Sequence, residues 1–261
     1  MNIKVIAFNA DDTLWVNEPY FQATEKKFCV LMEEFLPQHT MSRELLKIEI
    51  ENLVLYGYGI KGYILSMIET ALKVSANTIS TGAIEKIIGF GKELLNEPIE
   101  LLENVEEVLA GLKDKYRLVV ATKGDLLDQE RKLKKSGLSH YFHHIEIMSE
   151  KGEDDYLKLI KHLDIQPNEF MMIGNSLKSD VIPVLNIGGH AVHVPYHTTW
   201  AHEQVEATGS YQFQACGTPE GSFAAIAINV RKMMELQFLL QHYQLNVSFG
   251  YTKSLRVVMK R

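Results

Sequence analysis

The strongest constraint on the fold is a change of hydrophobic period along the chain. Ile3 to Phe8 form a short apolar run that stops abruptly at Asn9, Ala10, Asp11, Asp12 and Thr13, which predicts a buried strand ending in polar residues. From Pro19 to about Leu95 the apolar residues fall at helical spacing: Phe21, Phe28, Leu31, Met32 and Phe35; Leu45, Leu46, Leu53 and Val54; Ile64, Met67, Ile68 and Leu72; Ile84, Ile87, Ile88 and Leu95. Four helices and no strand are expected there, interrupted at Pro37, at Gly57 with Gly59 and around Ser75 to Asn77, and closed by Pro98.

Beyond Pro98 the period alternates. A helix over Asn104 to Lys113 is followed by a strand at Tyr116 to Ala121, a helix at Asp125 to Ser136, a strand at His144 to Met148 and a helix at Asp154 to His162. A strand at Phe170 to Ile173, a short helix ending near Gly188 and Gly189, and a strand at Ala191 to Val194 continue it. Such alternation predicts an α/β fold, a Rossmann-like parallel sheet with helices on both faces. Residues 1–14 and 97–261 form the expected core, and residues 15–96 an inserted all-helical domain. Tyr196 to Ser210 reads as a linker, Tyr211 to Ala215 as a possible strand, and Thr218 with Pro219 as the start of a helix. Residues 241–261 have no clear period and are compatible with an extra strand, a frayed tail or a partner contact.

Composition narrows the function classes. The 261 residues are 46% hydrophobic, enough for a sizeable core. No apolar run approaches the ~20 residues of a bilayer span, and the N-terminus lacks a basic-then-apolar leader, so a soluble cytoplasmic protein is expected, without membrane contact. Cys29 and Cys216 form no CxxC or Cys/His pattern and are read as reduced and structural. With 27 basic against 33 acidic residues the net charge is −6, which offers no footprint for nucleic acid. A small-molecule enzyme is the better expectation.

In an open parallel sheet the crevice lies beyond the carboxyl ends of the strands. Four polar stations fall there: FNADDT after the first strand, VVATKG after the next, Ser149-Glu150-Lys151, and MMIGNSLKSD. Carboxylates, a hydroxyl and a lysine converging at strand ends suit phosphoryl chemistry, which needs oxygen ligands for a metal, hydrogen-bond donors and a cation.

These stations, in this order, resemble the four motifs of the haloacid dehalogenase superfamily of hydrolases: DxDxT, a strand-end Thr or Ser, a Lys, and GDSxxxD. They read here as Asn9 to Thr13, Thr122, Lys151, and Gly174-Asn175-Ser176 through Asp180. The helical block between the first two resembles that family's helical C1 cap. The resemblance implies a Mg²⁺-dependent phosphatase acting on a small phosphorylated substrate through an aspartyl-phosphate. In that scheme position 9 supplies the nucleophile, Asp11 is the acid and base and offers a carbonyl oxygen to the metal, and Thr122 with the Lys123 amide holds phosphoryl oxygens. Lys151 neutralises charge, and Asp180 holds Mg²⁺ or orients Lys151. Asn9, Asp11, Asn175 and Asp180 are the implied metal ligands.

Two departures matter. Asn9 stands where the family has its nucleophilic Asp, and an amide has no anionic oxygen for attack on phosphorus. The chain as written is therefore expected not to turn over. An engineered trap of an active enzyme is the favoured reading, because Asp11, Thr122, Lys151 and Asp180 all remain. A natural non-catalytic relative that binds a phosphate ligand, and partial deamidation back to Asp, are the alternatives. Asn175 replaces the first Asp of motif four; it still offers a carbonyl oxygen, with lowered metal affinity. A metal-independent dehalogenase is the rival activity, although dehalogenases place their motif-four Asp closer to the Ser-Asn pair than Asn175 and Asp180 are spaced here.

Blander readings stand beside these. Asp12 reads as a turn residue and Trp15 as packing, within a stretch with Glu18 and Tyr20 where the family has a mobile flap. In Tyr56-Gly-Tyr58-Gly-Ile-Lys61-Gly-Tyr63, Tyr58 and Lys61 are candidate substrate contacts at a helix junction that is equally readable as a plain turn. Among the ten histidines, His190 and His193 would point to opposite faces of a strand, as would adjacent His143 and His144, so no zinc site is expected. The oligomeric state is not legible.

Overall fold

The structure is a computed structural model describing residues 2–204 together with the backbone of two strands, Ala224–Ala227 and Arg256–Met259. It divides into two compact units. The first contains the chain up to Val16, Glu100–Thr122 and the described residues from Leu133 onward; the second contains Asn17–Ile99 and Lys123–Lys132.

The first unit is built on a sheet of β1 (Val5–Phe8), β2 (Arg117–Lys123), β3 (His144–Met148), β4 (Phe170–Gly174), β5 (His190–His193), β6 (Ala224–Ala227) and β7 (Arg256–Met259). Their spatial order is β3-β2-β1-β4-β5-β7-β6. Strands β2, β1, β4 and β5 pair in parallel, while β7 pairs antiparallel with both β5 and β6. β1 and β4 are buried at every residue, as expected of central strands covered on both faces. The chain moves outward from β1 through β2 to β3, then returns to the other side of β1 with β4. The switch point of the fold thus lies between β1 and β4, where doubly wound sheets open their binding crevice.

Helices α5 (Val105–Leu112), α7 (Glu153–His162) and α8 (Ile182–Asn186) belong to this unit, while α6 (Leu126–Lys135) begins in the second unit and ends in this one. A π-type turn, Leu177–Val181, leads into α8. Val5, Ala7, Val119, Tyr156, Leu159, Phe170, Met172 and Val184 belong to one buried core. Each fully buried aliphatic or aromatic side chain there contributes roughly 1.5–3 kcal/mol of transfer free energy.

The second unit is helical, with α1 (Glu18–Leu31), α2 (Gln38–Tyr56), α3 (Ile60–Val74) and α4 (Thr81–Asn96). Ser80 caps α4 by accepting from the Ala83 amide. Between α2 and α3, Gly59 has φ +111° and would carry a Cβ only 3.0 Å from the Asp125 nitrogen. Its core contains Phe28, Met32, Met41, Leu45, Ile60, Met67, Ala71, Ile87 and Leu94.

Two expectations need correction here. Val54, Leu72 and Ile88 are exposed rather than core-facing. In α2 the buried face instead follows Met41, Leu45, Ile48 and Asn52, because Asn52 finds hydrogen bonds to Ser66 Oγ and Glu69 Oε2 that pay for burying an amide. Ala224–Ala227 is a strand where a helix from Pro219 is expected, edge pairing with β7 overriding local helical signals. The candidate strand Tyr211 to Ala215 and the Thr218-Pro219 cap lie outside the described residues. Arg256–Met259 is an added strand, one of the options open for the tail. Among the described residues no helix is long and apolar enough to cross a membrane.

Candidate active site

Parallel register brings the strand ends into line. Val5, Ile6, Ala7 and Phe8 pair with Arg117 to Val120 on one side and Phe170 to Ile173 on the other. The Asn9 amide donates to the Ile173 carbonyl at 2.8 Å, so Asn9 and Asn175 emerge side by side at the switch point. The chain then turns tightly. Thr13 and Leu14 amides donate to the Ala10 carbonyl, and Asp12 has φ +56°, consistent with its reading as a turn residue.

The buried Asn9 side chain is saturated. Its Nδ2 donates to the Asp11 carbonyl and to Asn175 Oδ1, both at 2.8 Å. Its Oδ1 accepts from Lys151 Nζ at 2.8 Å. This orientation is dictated by the partners: a lysine ammonium only donates, so the amide oxygen must face it, and two oxygens on the other side require the NH₂. Thr13 Oγ1 donates to the same Asn175 Oδ1 at 3.2 Å.

Lys151 reaches the site from the loop after β3, with its side chain 2% exposed against 1% for Asp180. A charge so buried needs a partner. Asp180 Oδ1 provides it at 2.6 Å, while Asp180 Oδ2 accepts from the Ser176 amide at 3.0 Å. Gly174 makes room for this carboxylate, since a Cβ there would lie 2.2 Å from Asp180 Oδ2. Both Asp180 oxygens are thus engaged by a lysine and a backbone amide, the arrangement of a residue that orients Lys151. Asp11 carries a contact that packing alone does not explain. Trp15 Nε1 donates to Asp11 Oδ1 at 2.8 Å, so the buried indole aims the carboxyl.

Further residues that the sequence motifs do not mark hold the fourth motif in place. Glu203 accepts from Ser176 Oγ and, at 2.7 Å, from Ser179 Oγ. Tyr156 donates its hydroxyl to the Ser179 carbonyl at 2.9 Å, and burial, reinforced by the charges of Asp180, Glu203 and Asp155, pushes its phenol well above the usual range. His193 Nε2 faces the Asn175 carbonyl at 2.9 Å and so carries the proton on that nitrogen. No local pattern marks Glu203, which lies beyond the alternating strands and helices.

Asn9, Asp11, Lys151, Asn175 and Asp180 therefore form one hydrogen-bonded network. Thr122, 2% exposed, lies near the carboxyl end of β2 in the same unit. Tyr58, Lys61 and Lys123 belong to the helical unit. There Lys61 pairs with Asp125 at 2.9 Å, and the Lys123 ammonium sits 4.1 Å from the centre of the Tyr58 ring, a cation–π contact.

The donor set around position 9 is all oxygen apart from the Asn9 NH₂, and oxygen donors suit Mg²⁺. The NH₂ itself occupies the two oxygens, Asp11 O and Asn175 Oδ1, that a cation would need. Turning the amide over would set its NH₂ against the Lys151 ammonium, donor against donor. The residues fit Mg²⁺ with a carboxylate at position 9, and fit it poorly with the amide.

A family model described as haloacid dehalogenase-like hydrolase matches residues 3–188. N-acylneuraminate-9-phosphatase of Rattus norvegicus is 28% identical over 155 residues, covering 58% of this chain and 56% of that protein. Glyceraldehyde 3-phosphate phosphatase of Methanothermobacter thermautotrophicus is 28% identical over 113 residues, covering 41% of this chain and 50% of that protein. The chain spans about half the length of these phosphatases that it matches. Among solved structures, a haloacid dehalogenase-like family hydrolase from Xanthomonas campestris is 39% identical with a TM-score of 0.72, covering 79% of this chain and 87% of that one. The L-2-haloacid dehalogenase of Xanthobacter autotrophicus shares the fold alone, at 16% identity and a TM-score of 0.52, over 74% of this chain and 77% of that one. The match over residues 3–188 takes in every strand from β1 to β4 and the loops that carry Asn9, Lys151 and Asp180, and the chain belongs to the haloacid dehalogenase-like hydrolases.

Proposed function

We propose that this site is built for Mg²⁺-dependent hydrolysis of a small phosphomonoester, and that Asn9 holds the chain in a form that binds such a ligand without cleaving it. The observation that carries the reading is the convergence of the position-9 side chain, the Asp11 carbonyl and Asn175 Oδ1, backed by the buried Lys151–Asp180 pair. The phosphatase relatives support the substrate class. When bound, Mg²⁺ would supply positive charge to phosphoryl oxygens from a site formed by position 9, the Asp11 carbonyl and Asn175.

The protein's own groups then have distinct tasks. A carboxylate at position 9 would attack phosphorus, forming one P–O bond as the leaving oxygen departs with a proton from Asp11. Trp15 Nε1 keeps the Asp11 carboxyl in place for that transfer and for the later removal of a proton from the attacking water. Lys151, fixed by Asp180, neutralises charge next to the nucleophile, and Thr122 offers a hydroxyl to the phosphoryl group. With Asn9 the same Lys151 bond draws electron density from an already neutral oxygen, and no phosphorus attack follows. In this reading the helical unit is the cap, and Tyr58, Lys61 and Lys123, engaged there with one another and with Asp125, are its candidate residues for substrate selection.

Phosphate release from a broad panel of phosphorylated metabolites with Mg²⁺ tests the reading, with this chain and Asn9→Asp assayed side by side. Turnover only by Asn9→Asp is expected. If a folded, Mg²⁺-supplied Asn9→Asp protein releases no phosphate, the phosphatase reading fails and a ligand-binding protein or a dehalogenase takes its place. Activity that survives EDTA would favour the dehalogenase.

A further inference from the structure

We propose that His144, Glu146 and His162 form a second metal site, selective for a borderline divalent ion of the Zn²⁺ type. Strand alternation is its foundation. His144 and Glu146 are two residues apart on β3 and share one face, the face on which Met148 joins Tyr156, Leu159 and Ile160 of α7 in the core. β3 is an edge strand of the sheet. Packing against this face brings His162, the last residue of α7, alongside the amino end of β3.

The resulting geometry is that of a three-ligand set. His144 Nε2 lies 2.8 Å from Glu146 Oε2. The His144 and His162 rings stand edge to face, 4.9 Å apart at 65°. One ligand atom from each of the three residues lies within 4.8 Å of the others. Metal–ligand bonds of about 2.0–2.2 Å place the donors around one ion roughly 3–4 Å apart, so a small swing of the exposed His162 completes the set. The His144–Glu146 hydrogen bond accounts for two of these residues by itself. It does not account for the second imidazole beside them.

Donor chemistry separates this site from the catalytic one. Two imidazoles and one carboxylate favour Zn²⁺, Ni²⁺ or Cu²⁺ over Mg²⁺, whereas the position-9 site offers oxygens. His144 also begins its strand, at the amino end of the sheet, while the catalytic residues follow the carboxyl ends. Three protein ligands leave coordination positions for water, and an ion there would tie the edge strand to the end of α7. The adjacent His143 and His144 still cannot share an ion; the partner of His144 comes from a helix end that strand spacing cannot reveal. This inference does not depend on the phosphatase reading.

Zn²⁺ titration of the full chain against a chromophoric chelator tests it, followed by Co²⁺ substitution to read the ligand set from its visible spectrum. One Zn²⁺ per chain is expected, with affinity at least tenfold lower in His144→Ala and in His162→Ala, and lower also in Glu146→Gln. Asn175→Ala, altered in the oxygen-lined site, should bind Zn²⁺ as the parent does. Circular dichroism of the metal-free variants guards against misfolding as the cause. Zn²⁺ affinity unchanged in a folded His144→Ala/His162→Ala double variant overturns the proposal, and so does the absence of stoichiometric binding by the parent.

Discussion

The two units satisfy their buried polar groups in different ways. Within the helical unit the buried Asn52, Ser66 and Thr70 bond within one helix or between adjacent helices. Ser66 and Thr70 return their hydroxyls to carbonyls one turn back, and Asn52 of α2 reaches Ser66 and Glu69 of α3. In the sheet unit the bonds of Asn9 to Asn175 and to Lys151 instead span more than half of the chain. Local bonds stiffen a helix pair whatever the rest of the chain does. Long-range ones exist only when four strands are in register, so the network around Asn9 reports directly on the sheet. The cost of long range is fragility: one wrong atom disturbs the entire network.

Lys151→Met should break the comparison most severely. It leaves Asp180 buried without its cation, and losses of about 3–5 kcal/mol accompany such one-sided removals. Denaturant unfolding reads the change, and phosphate release by an Asn9→Asp protein should vanish with it. Gly174→Ala is next. Its methyl group meets a carboxylate pinned by Lys151 and by the Ser176 amide, so relief must come from backbone movement, costing about 1–3 kcal/mol. A crystal structure of that variant should show Asp180 displaced.

Asn52→Ala sharpens the contrast from the helical side. Loss of the bonds to Ser66 and Glu69 should cost about 1–2 kcal/mol, while the Mg²⁺ affinity of Asn9→Asp stays unchanged. The smallest effect concerns acid. Burial holds the His190 imidazole below its usual range, opposed in part by its bond to the Asn168 carbonyl. The folded state thus prefers the neutral ring, whereas the unfolded chain takes up a proton near the ordinary value of about 6.5. Stability from this group is present above that value and is lost as pH falls toward the lowered folded one. His190→Gln should flatten the stability profile across that window, as followed by thermal unfolding at a series of pH values.

Much of the sheet and its motif residues is legible in the sequence because both follow local rules. A buried strand is a short apolar run, and the polar residues that follow it occupy the carboxyl end of a parallel sheet. Asn9, Asp11, Thr122, Lys151 and Asn175 all declare themselves in that way. What escapes is anything decided by a distant partner. Trp15 reads as packing until its indole is seen on Asp11, and Glu203 has no marker until Ser176 and Ser179 lie beneath it. The exposed Val54, Leu72 and Ile88 show the same limit, since apolar periodicity tolerates a stripe wider than the face that is finally covered.

Calorimetric titration of Mg²⁺ into this chain and into Asn9→Asp, under identical conditions, tests the central claim most directly. The Asn9 NH₂ engages the Asp11 and Asn175 oxygens, so Asn9→Asp should bind one Mg²⁺ per chain and the parent should bind at least tenfold more weakly. Equal affinity in the two proteins would contradict the claim that the position-9 side chain decides whether this site holds a cation.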